Sequence, residues 1–345
     1  MGRGRAVRRK GRAAVSARNG QRVLVTGASG LLGAGVARRL VAEGADVATL
    51  QRRPAGVPGA RDVTGSVTDP EAVARAMAGR NSVVHVAAKV SVSGPAEDYE
   101  QVNVAGTALV LEAARRAGVE RFVHLSSPSV AHAGTSIVGD GAGPADPARA
   151  RGHYARTKAA GELLALAADA EDLRVLVLRP HLMWGPGDTQ LTERIIERAR
   201  AGRMPLLGPS AALIDSLYTE NAVDAVLAAV DAVDRVHGEA LVVTNGEPRP
   251  VGELVRGLCV AGGAPEPRLR IPAGPARAAG GVIERLWEAG GFGRGGEEPP
   301  LTRFLAEQLS TAHWFDQRRT REVLGWTPAV SIDRGLELLA EHYRA

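Results

Sequence analysis

The stretch VLVTGASGLLG, residues 23–33, decides the fold of this chain. Its apolar, β-branched first residues predict a buried strand, and a helical pattern begins soon after the turn. Three glycines permit a tight turn and a close approach of the backbone to a ligand. Because free N–H groups at a helix N-terminus favour anions, the stretch predicts a site for the pyrophosphate of a dinucleotide. The residues expected to line this site are Gly27, Gly30, Leu31, Leu32 and Gly33.

Downstream of this turn, short apolar runs alternate with helical patterns as far as residue 180. The predicted strands are 23–26, 46–51, 61–64, 82–87, 121–126 and 173–178, and the predicted helices are 31–42, 70–78, 99–117 and 154–168. Strands separated by helices form right-handed βαβ crossovers, and therefore a parallel sheet that is covered on both faces. The sequence thus predicts an α/β protein with a Rossmann-type, doubly wound sheet, whose ligands bind at the carboxyl ends of the strands.

Three regions are expected along the chain. Residues 1–20 form a basic tail that is predicted to be disordered, and residues 21–180 form the dinucleotide-binding domain. Residues 181–345 form mainly a smaller substrate-binding region, from which parts of the chain return to the sheet domain. Between residues 263 and 300 the chain is rich in Gly, Pro, Ala and Arg, which predicts a lid or surface excursion with a short amphipathic helix at 283–289.

Composition excludes several classes of function. The net charge of +5 comes from the first 20 residues, which carry seven basic side chains and no acidic one, so the body of the chain has no basic surface for nucleic acid. The single cysteine, Cys259, rules out an internal disulfide and a cysteine-rich zinc site. The sequence contains no apolar run long enough to span a bilayer. These features predict a cytoplasmic protein that binds a small molecule and needs no metal.

The end of the second strand, LQRRP at residues 50–54, bears on the choice of dinucleotide. Sites that prefer NAD usually place an Asp or Glu here for the ribose 2′-hydroxyl, whereas a 2′-phosphate favours arginine. Arg52 and Arg53 occupy this position without a competing acid. We therefore expect NADP(H) to be preferred, with NAD(H) as the alternative.

The segment YARTK, residues 154–158, predicts the chemistry. Tyr154 and Lys158 lie one turn apart on one face of a helix, which sets an ammonium group beside a phenol. The chain has only three lysines against 40 arginines, so a lysine at this position stands out. Ser126 and Ser127 end the fifth strand, where a hydroxyl can share a substrate carbonyl with the tyrosine. These groups together predict acid/base catalysis coupled to hydride transfer.

These segments resemble the extended short-chain dehydrogenase/reductases from about residue 21 to the C-terminus. Further matches are HVAA (85–88), NVAGT (103–107), VHLSSPSV (123–130), LRPHLMWGPGD (178–188) and IDSLYTENAVDA (214–225). The motifs HVAAKV, SSPSV and LRPHLMWGPGD are most similar to the 3β-hydroxysteroid dehydrogenase branch. Within that branch, the chain is similar to the bacterial reductases of 2-alkyl-3-oxoalkanoates in long-chain olefin biosynthesis.

The resemblance implies a role for each matching residue. Tyr154 is the general acid/base, Lys158 binds the nicotinamide ribose and lowers the pKa of Tyr154, and Ser127 polarises the carbonyl, with Ser126 as the neighbouring candidate. Asn103 is implied to lie on the helix behind the site. The family usually has a Gly-Asp pair after the third strand, where this chain has Gly65 followed by Ser66. The remaining implied cofactor contacts are Ser66, Val67, Ala87, Ala88, Lys89, Tyr154, Lys158, Pro180 and Leu182.

The resemblance also implies a substrate. The 2-alkyl-3-oxoalkanoates and the 3-oxo-sterol-4-carboxylates both carry a carboxylate β to the carbonyl, so we expect a hydrophobic 3-oxo or 3-hydroxy acid. Lys89 is the predicted cation for its carboxylate. The alternatives are a 3β-hydroxysteroid or sterol-4α-carboxylate 3-dehydrogenase, a nucleotide-sugar epimerase or dehydratase, and a protein that binds NADP(H) without turnover. A homodimer, and association with other enzymes of the same lipid pathway, are further expectations.

Overall fold

The computed structural model describes residues 18–90, 94–132, 134–288, 306–307 and 309–344. Residues 1–17 of the predicted tail and residues 289–300 of the predicted lid therefore lie outside the described residues. Arg18 is buried and forms ion pairs with Glu43 (2.7 Å) and Asp231 (2.6 Å). The described part of the fold thus includes residue 18, which the sequence analysis assigns to the tail.

The described strands mostly follow the sequence prediction in the first half of the chain. In chain order they are β1 (Arg22–Thr26), β2 (Asp46–Gln51), β3 (Arg61–Thr64), β4 (Ser82–His85), β5 (Arg121–Leu125), β6 (Ile137–Asp140), β7 (Arg174–Pro180), β8 (Met183–Trp184), β9 (Pro205–Leu207), β10 (Leu213–Ile214), β11 (Leu217–Tyr218), β12 (Glu239–Val243), β13 (Arg249–Pro250), β14 (Leu269–Ile271) and β15 (His313–Phe315).

The described helices follow the same alternation. They are α1 (Leu31–Ala42), α2 (Pro70–Met77), α3 (Ala96–Tyr99), α4 (Gly106–Arg116), α5 (Gly152–Ala167), α6 (Thr192–Arg200), α7 (Thr219–Ala232), α8 (Val251–Ala261), α9 (Ala273–Glu288), α10 (Arg318–Leu324) and α11 (Ile332–Arg344). A π-helical segment, Glu100–Ala105, joins α3 to α4, and a 3₁₀ turn, Pro128–Ala131, follows β5. The helix predicted over residues 99–117 is therefore interrupted by one wider turn.

A seven-stranded parallel sheet in the order β12-β7-β5-β4-β1-β2-β3 lies at the centre of the protein. It confirms the predicted doubly wound α/β fold. In the register of the sheet, Thr26 lies opposite both Leu50 and His85, and Leu125 lies opposite Leu178. The carboxyl ends of these strands therefore meet at one edge, which is where ligands bind in this architecture.

Helices cover both faces of this sheet because its strands alternate apolar side chains between two cores. In β1, Val23 and Val25 belong to one core and Leu24 belongs to the other. Helices α1 and α7 contribute to the first core, and α2, α4 and α5 contribute to the second. Burial on both faces is typical of parallel sheets and explains the nearly continuous apolar runs in the sequence.

The chain after β7 builds a third core and also returns to the sheet. Trp184, Ile196, Tyr218 and Leu258 pack in this third core together with residues of α11. Beside it lies a small sheet in the order β13-β10-β15-β6. By contrast, β12 is an edge strand of the seven-stranded sheet, and α7 packs in the first core. Among the residues that the structure describes, no helix combines the length and the apolar character that a membrane crossing requires.

Candidate active site

The glycine-rich turn between β1 and α1 forms a cradle that leaves no room for side chains. A Cβ atom added to Gly27 would lie 2.8 Å from the Cα atom of Ala87, and one added to Gly33 would lie 2.5 Å from the carbonyl oxygen of Gly27. Gly27 also has φ of +74°, a conformation that suits glycine. Gly30 caps α1 without any side-chain hydrogen bond to the helix N-terminus. The turn therefore fits a pyrophosphate held by main-chain N–H groups.

The two leucines that follow this turn face different surroundings. Leu31 is half-buried, and its Cδ1 atom approaches Gly187 in the loop after β8. Leu32 is buried in the first core, so only its main chain is available to a cofactor. The cradle is thus anchored in the core on one side and borders the loop after β8 on the other.

The loop after β2 carries the two arginines that the sequence assigns to cofactor selection. Arg52 and Arg53 are exposed. Asp62 fixes the loop, because its carboxylate accepts hydrogen bonds from the N–H of Ala55 (3.0 Å) and from the amide nitrogen of Gln51 (2.7 Å). The amide oxygen of Gln51 is buried and has no hydrogen-bond partner within the described ranges. The end of β2 therefore presents two exposed guanidinium groups, on a loop that the carboxylate of Asp62 holds in place.

The loops after β3 and β4 hold the other residues predicted to contact the adenosine half. Ala87 and Ala88 are half-buried, and the N–H of Ala87 donates to the hydroxyl of Thr26 (3.1 Å). Ala87 therefore lies directly beside the glycine cradle. Ser66 is half-buried in the loop after β3. Val67 packs in the second core at 6% exposure, so its side chain does not face the cleft and only its main chain is left for an adenine contact.

The tyrosine and the serine that are predicted to act together are in contact. Tyr154 lies in the first turn of α5 and is hydrogen-bonded to Ser127, directly after β5. Ser126, the neighbouring candidate, has a buried hydroxyl with no partner among the residues that the structure describes. Behind Ser127, the N–H and the hydroxyl of Ser129 donate to its Oγ atom at 3.3 and 2.9 Å. Sequence analysis did not single out Ser129, although its position two residues after Ser127 was a usable signal.

Burial, rather than Lys158, governs the pKa of Tyr154. Desolvation raises this pKa above its ordinary value near 10, and the hydrogen bond from Ser127 acts in the opposite direction. The predicted lowering by Lys158 is not found in the structure. The Nζ atom of Lys158 donates instead to the carbonyl oxygen of Leu125 at the end of β5. Burial lowers the pKa of Lys158 to about 8, and the charge of Glu162 opposes this shift.

A fully buried ion pair lies one turn beyond Lys158. The side chains of Glu162 in α5 and Arg179 in β7 are 0% and 1% exposed, and the Nε atom of Arg179 lies 2.9 Å from Oε2 of Glu162. Arg179 also donates to the carbonyl oxygen of Ala142. Sequence analysis missed this pair, although Glu162 stands four residues after Lys158 on the same helix face. The pair ties α5 to the sheet and places a carboxylate near Lys158.

Lys89, the predicted cation for a substrate carboxylate, forms an ion pair within the protein in this structure. Its Nζ atom lies 2.6 Å from Oδ2 of Asp98, in an ion pair, and 5.1 Å from the centre of the Tyr99 ring. The side chain of Asn103 accepts a hydrogen bond from the N–H of Lys89 (2.7 Å) and donates one to its carbonyl oxygen (3.1 Å). Asn103 also donates to Thr157 (3.0 Å), and so joins the loop after β4 to α5.

The segment after β7 borders the catalytic edge and the third core. Pro180 is half-buried and lies opposite Val243 in the sheet register. Leu182 has φ of +47°, a left-handed conformation that is costly for a residue with a Cβ atom. Its half-buried side chain packs against the third core, and its carbonyl oxygen accepts the N–H of Leu217 (3.2 Å). Strained backbone of this kind is common at functional sites.

Three histidines cluster where this segment meets β15: His181 in the segment, His313 in β15 and His132 after the 3₁₀ turn. The Nε2 atoms of His132 and His313 share a hydrogen bond of 2.8 Å, and the ring of His181 lies 6.1 Å from that of His313 and 5.2 Å from that of Phe315. Burial lowers the pKa of His181 to about 4 and also lowers that of His132, so both rings are neutral at pH 7. No motif predicted this cluster because its members lie far apart along the chain.

These residues provide acid/base chemistry beside a dinucleotide site. A phenol, a hydroxyl and a buried ammonium meet at the carboxyl end of β5, on the same sheet edge as the glycine cradle. A nicotinamide cofactor bound in this cradle would supply or accept a hydride. Tyr154 can then give or take a proton at the substrate oxygen, while Ser127 donates a hydrogen bond to it.

Comparisons with known proteins agree with this geometry. The model of the NAD dependent epimerase/dehydratase family matches residues 23–244. A 2-alkyl-3-oxoalkanoate reductase from Stenotrophomonas maltophilia (strain K279a) is 41% identical over 327 residues, which cover 92% of this chain and 98% of the relative. A 3-beta-hydroxysteroid dehydrogenase from Mycolicibacterium neoaurum is 29% identical over 340 residues, which cover 93% and 91%. The solved structure of MoeE5 in complex with UDP-glucose and NAD has a TM-score of 0.70 at 26% identity, covering 94% and 98%.

Proposed function

We propose that this chain reduces a 2-alkyl-3-oxoalkanoate to the 2-alkyl-3-hydroxyalkanoate. The chain belongs to the NAD dependent epimerase/dehydratase family. It is an NAD(P)-dependent oxidoreductase of the extended short-chain dehydrogenase/reductase type. The proposed reduction is a step of long-chain olefin biosynthesis. The observation that carries the proposal is the contact between Tyr154 and Ser127 beside the glycine cradle, in a chain that is 41% identical to a reductase of that substrate class over nearly its full length.

The proposed reaction uses the acid form of Tyr154. Hydride goes to carbon 3 of the substrate, its carbonyl oxygen becomes an alkoxide, and the phenol of Tyr154 protonates that oxygen. Because burial raises the pKa of Tyr154, the phenol is protonated at neutral pH, as reduction requires. Ser127 stabilises the developing negative charge by donating a hydrogen bond to the same oxygen. Lys158 would bind the ribose hydroxyls with its buried ammonium group.

Neutral and apolar groups near the segment after β7 support a hydrophobic substrate. Leu182 and Phe315 are apolar, and burial keeps His181 uncharged at pH 7. Apolar and uncharged surroundings of this kind suit alkyl chains better than the charged diphosphate of a nucleotide sugar. The ion pair of Lys89 with Asp98 leaves the carboxylate of the substrate to other donors or to solvent.

The exposed pair Arg52 and Arg53 supports a preference for NADP(H). Two guanidinium groups at the end of β2 suit the 2′-phosphate of the adenosine ribose. Replacing both with alanine should raise KM for NADPH at least about tenfold, because two charge-assisted contacts are lost, and should leave KM for NADH nearly unchanged. Equal changes for both cofactors would remove the support for this preference.

The test of the proposed function is a cofactor-linked assay in both directions. Freshly prepared racemic 2-alkyl-3-oxoalkanoic acid is supplied with NADPH or NADH, and the 2-alkyl-3-hydroxy acid is supplied with the oxidised cofactors. We expect turnover that Tyr154→Phe abolishes and that Tyr343→Phe, a tyrosine on α11, retains. Full activity of the Tyr154→Phe variant would overturn the mechanism.

A 3β-hydroxysteroid or sterol-4α-carboxylate substrate is the second candidate. The 29% identity to a 3-beta-hydroxysteroid dehydrogenase favours it over other oxidoreductions. Oxidation of a 3β-hydroxysterol without turnover of the alkyl hydroxy acid would establish it instead. Release of a C4 epimer from a UDP-sugar would point to the epimerase alternative, for which the likeness to MoeE5 is the support.

A further inference from the structure

Ser129 lies directly behind Ser127 and donates two hydrogen bonds to it. The N–H of Ser129 reaches the Oγ atom of Ser127 at 3.3 Å, and its hydroxyl reaches the same atom at 2.9 Å. Pro128 separates the two serines and begins the 3₁₀ turn that Ser127 caps. Ser129 is 7% exposed, so water competes little for its hydroxyl. The buried Ser129 therefore supports the half-buried Ser127 from behind, at the end of β5.

The two hydrogen bonds fix the direction of the Ser127 proton. A serine hydroxyl has two acceptor lone pairs and one proton to donate. Both lone pairs of Ser127 face donors from Ser129, so its own proton points away from them. The remaining partner is the oxygen of Tyr154. The hydrogen bond from Ser127 opposes the rise in the pKa of Tyr154 that burial causes. In this arrangement the Ser127 hydroxyl is already a donor on the side where Tyr154 lies, and a bound substrate oxygen would replace the Tyr154 oxygen as its acceptor.

We propose that Ser129 is a positioning residue that holds the hydroxyl of Ser127 in the donor orientation during proton transfer. The inference rests on the proposed function, because it assigns Ser129 a part in the same acid/base step. Without the Ser129 hydroxyl, one lone pair of Ser127 is free, and this hydroxyl can turn to accept the proton of Tyr154. The donor is then no longer oriented before negative charge develops on the substrate oxygen.

The experiment is a double-mutant cycle on Ser127 and Ser129. Ser129→Ala should lower kcat roughly three- to tenfold, as expected for one misdirected hydrogen bond, with little change in KM. Ser127→Ala should cost about 100-fold or more. Ser129→Ala added to Ser127→Ala should cost nothing further, because the group that it positions is gone. Ser129→Thr keeps a hydroxyl and should restore most of the activity.

Two further measurements separate positioning from general destabilisation. In the pH profile of kcat, the fall in rate that follows ionisation of Tyr154 should move to higher pH in Ser129→Ala. The reason is that the hydrogen bond from Ser127, which acts to lower the pKa of Tyr154, is weakened. Ser210→Ala is the matched control, since it removes a buried serine hydroxyl with a 3.1 Å hydrogen bond to Leu207, and it should change neither kcat nor the pH at which the rate falls.

The outcomes distinguish this inference from the proposed function. If Tyr154→Phe is inactive but Ser129→Ala costs the same with and without Ser127, the inference is wrong and the proposed function stands. If the 3-oxo acid is not reduced at all, the proposed function fails. The inference is then tested by tyrosinate absorbance, as the difference between each chain and its Tyr154→Phe counterpart. The midpoint should be higher with Ser129→Ala, and an unchanged midpoint would overturn the inference.

Discussion

Replacing Lys158 with methionine should stabilise the folded protein at neutral pH while it removes activity. The lysine is 4% exposed, and burial lowers its pKa from 10.5 to about 8. A difference of about 2.5 units corresponds to about 3 kcal/mol, because the folded protein holds this proton less tightly than the unfolded chain. Below pH 8 the wild type therefore carries this cost, and a methionine of similar length does not.

Other changes offset part of this gain. The variant loses the hydrogen bond from Lys158 to the carbonyl oxygen of Leu125, which contributes about 1 kcal/mol. Glu162 loses a favourable charge nearby but keeps its ion pair with Arg179. We therefore expect a net gain of about 1–2 kcal/mol in the free energy of unfolding at pH 7.

The difference in stability between the wild type and Lys158→Met should depend on pH. Between pH 8 and about 10.5 the unfolded wild-type chain binds more protons at this lysine than the folded protein does, so the stability of the wild type rises with pH relative to the variant. The difference between the two proteins should therefore shrink, and then reverse, over this range.

Urea unfolding of both proteins at pH 7 and pH 10, together with kcat, checks the prediction. Lys89→Met is the matched control, because that ammonium forms a more exposed ion pair with Asp98 and its removal should not stabilise the protein. A Lys158→Met protein that is less stable than the wild type at pH 7, or a difference that does not change with pH, would refute the reasoning.

Three other perturbations test separate features. Gly33→Ala places a Cβ atom 2.5 Å from a backbone oxygen of the glycine turn, so it should cost about 1–3 kcal/mol in thermal or urea unfolding and raise KM for either cofactor. Leu182→Asn relieves about 1 kcal/mol of left-handed strain but removes apolar packing on the third core, so Tm should fall less than with Leu182→Ala, which keeps the strain, and both should lower kcat/KM for long-chain substrates. Glu162→Gln should cost about 3–5 kcal/mol by leaving Arg179 buried without its partner, and Glu162→Gln with Arg179→Met should recover most of this loss, as urea unfolding would show.

The sequence predicted the sheet well because its strands bury both faces and stand out as apolar runs. The contact of Tyr154 with Ser127 followed from the same logic, since strand ends and the next helix meet at one edge. The short strands β6 and β15 were not predicted. They pair across more than half the chain, and three or four residues carry too little periodicity to be recognised.

Several interactions at the site depend on packing that the linear sequence does not display. Lys89 was assigned to a substrate carboxylate because its ion pair with Asp98 depends on how α3 folds back over the loop after β4. The pKa of Tyr154 was expected to fall, because the Tyr-Lys spacing on a helix is visible in sequence whereas the depth of burial is not. The buried pair of Glu162 with Arg179 was missed because its two halves come from separate elements.

The pairing of β6 with β15 has a consequence for how the protein is made. Strands β1 to β5 can emerge from the ribosome and pair while most of the chain is still being synthesised. His313 and Phe315, by contrast, can pack against His132 and His181 only after residue 315 has been translated. A chain terminated before β15 would therefore have the glycine turn but lack these contacts. Synthesis itself thus sets the order in which these two parts of the fold can form.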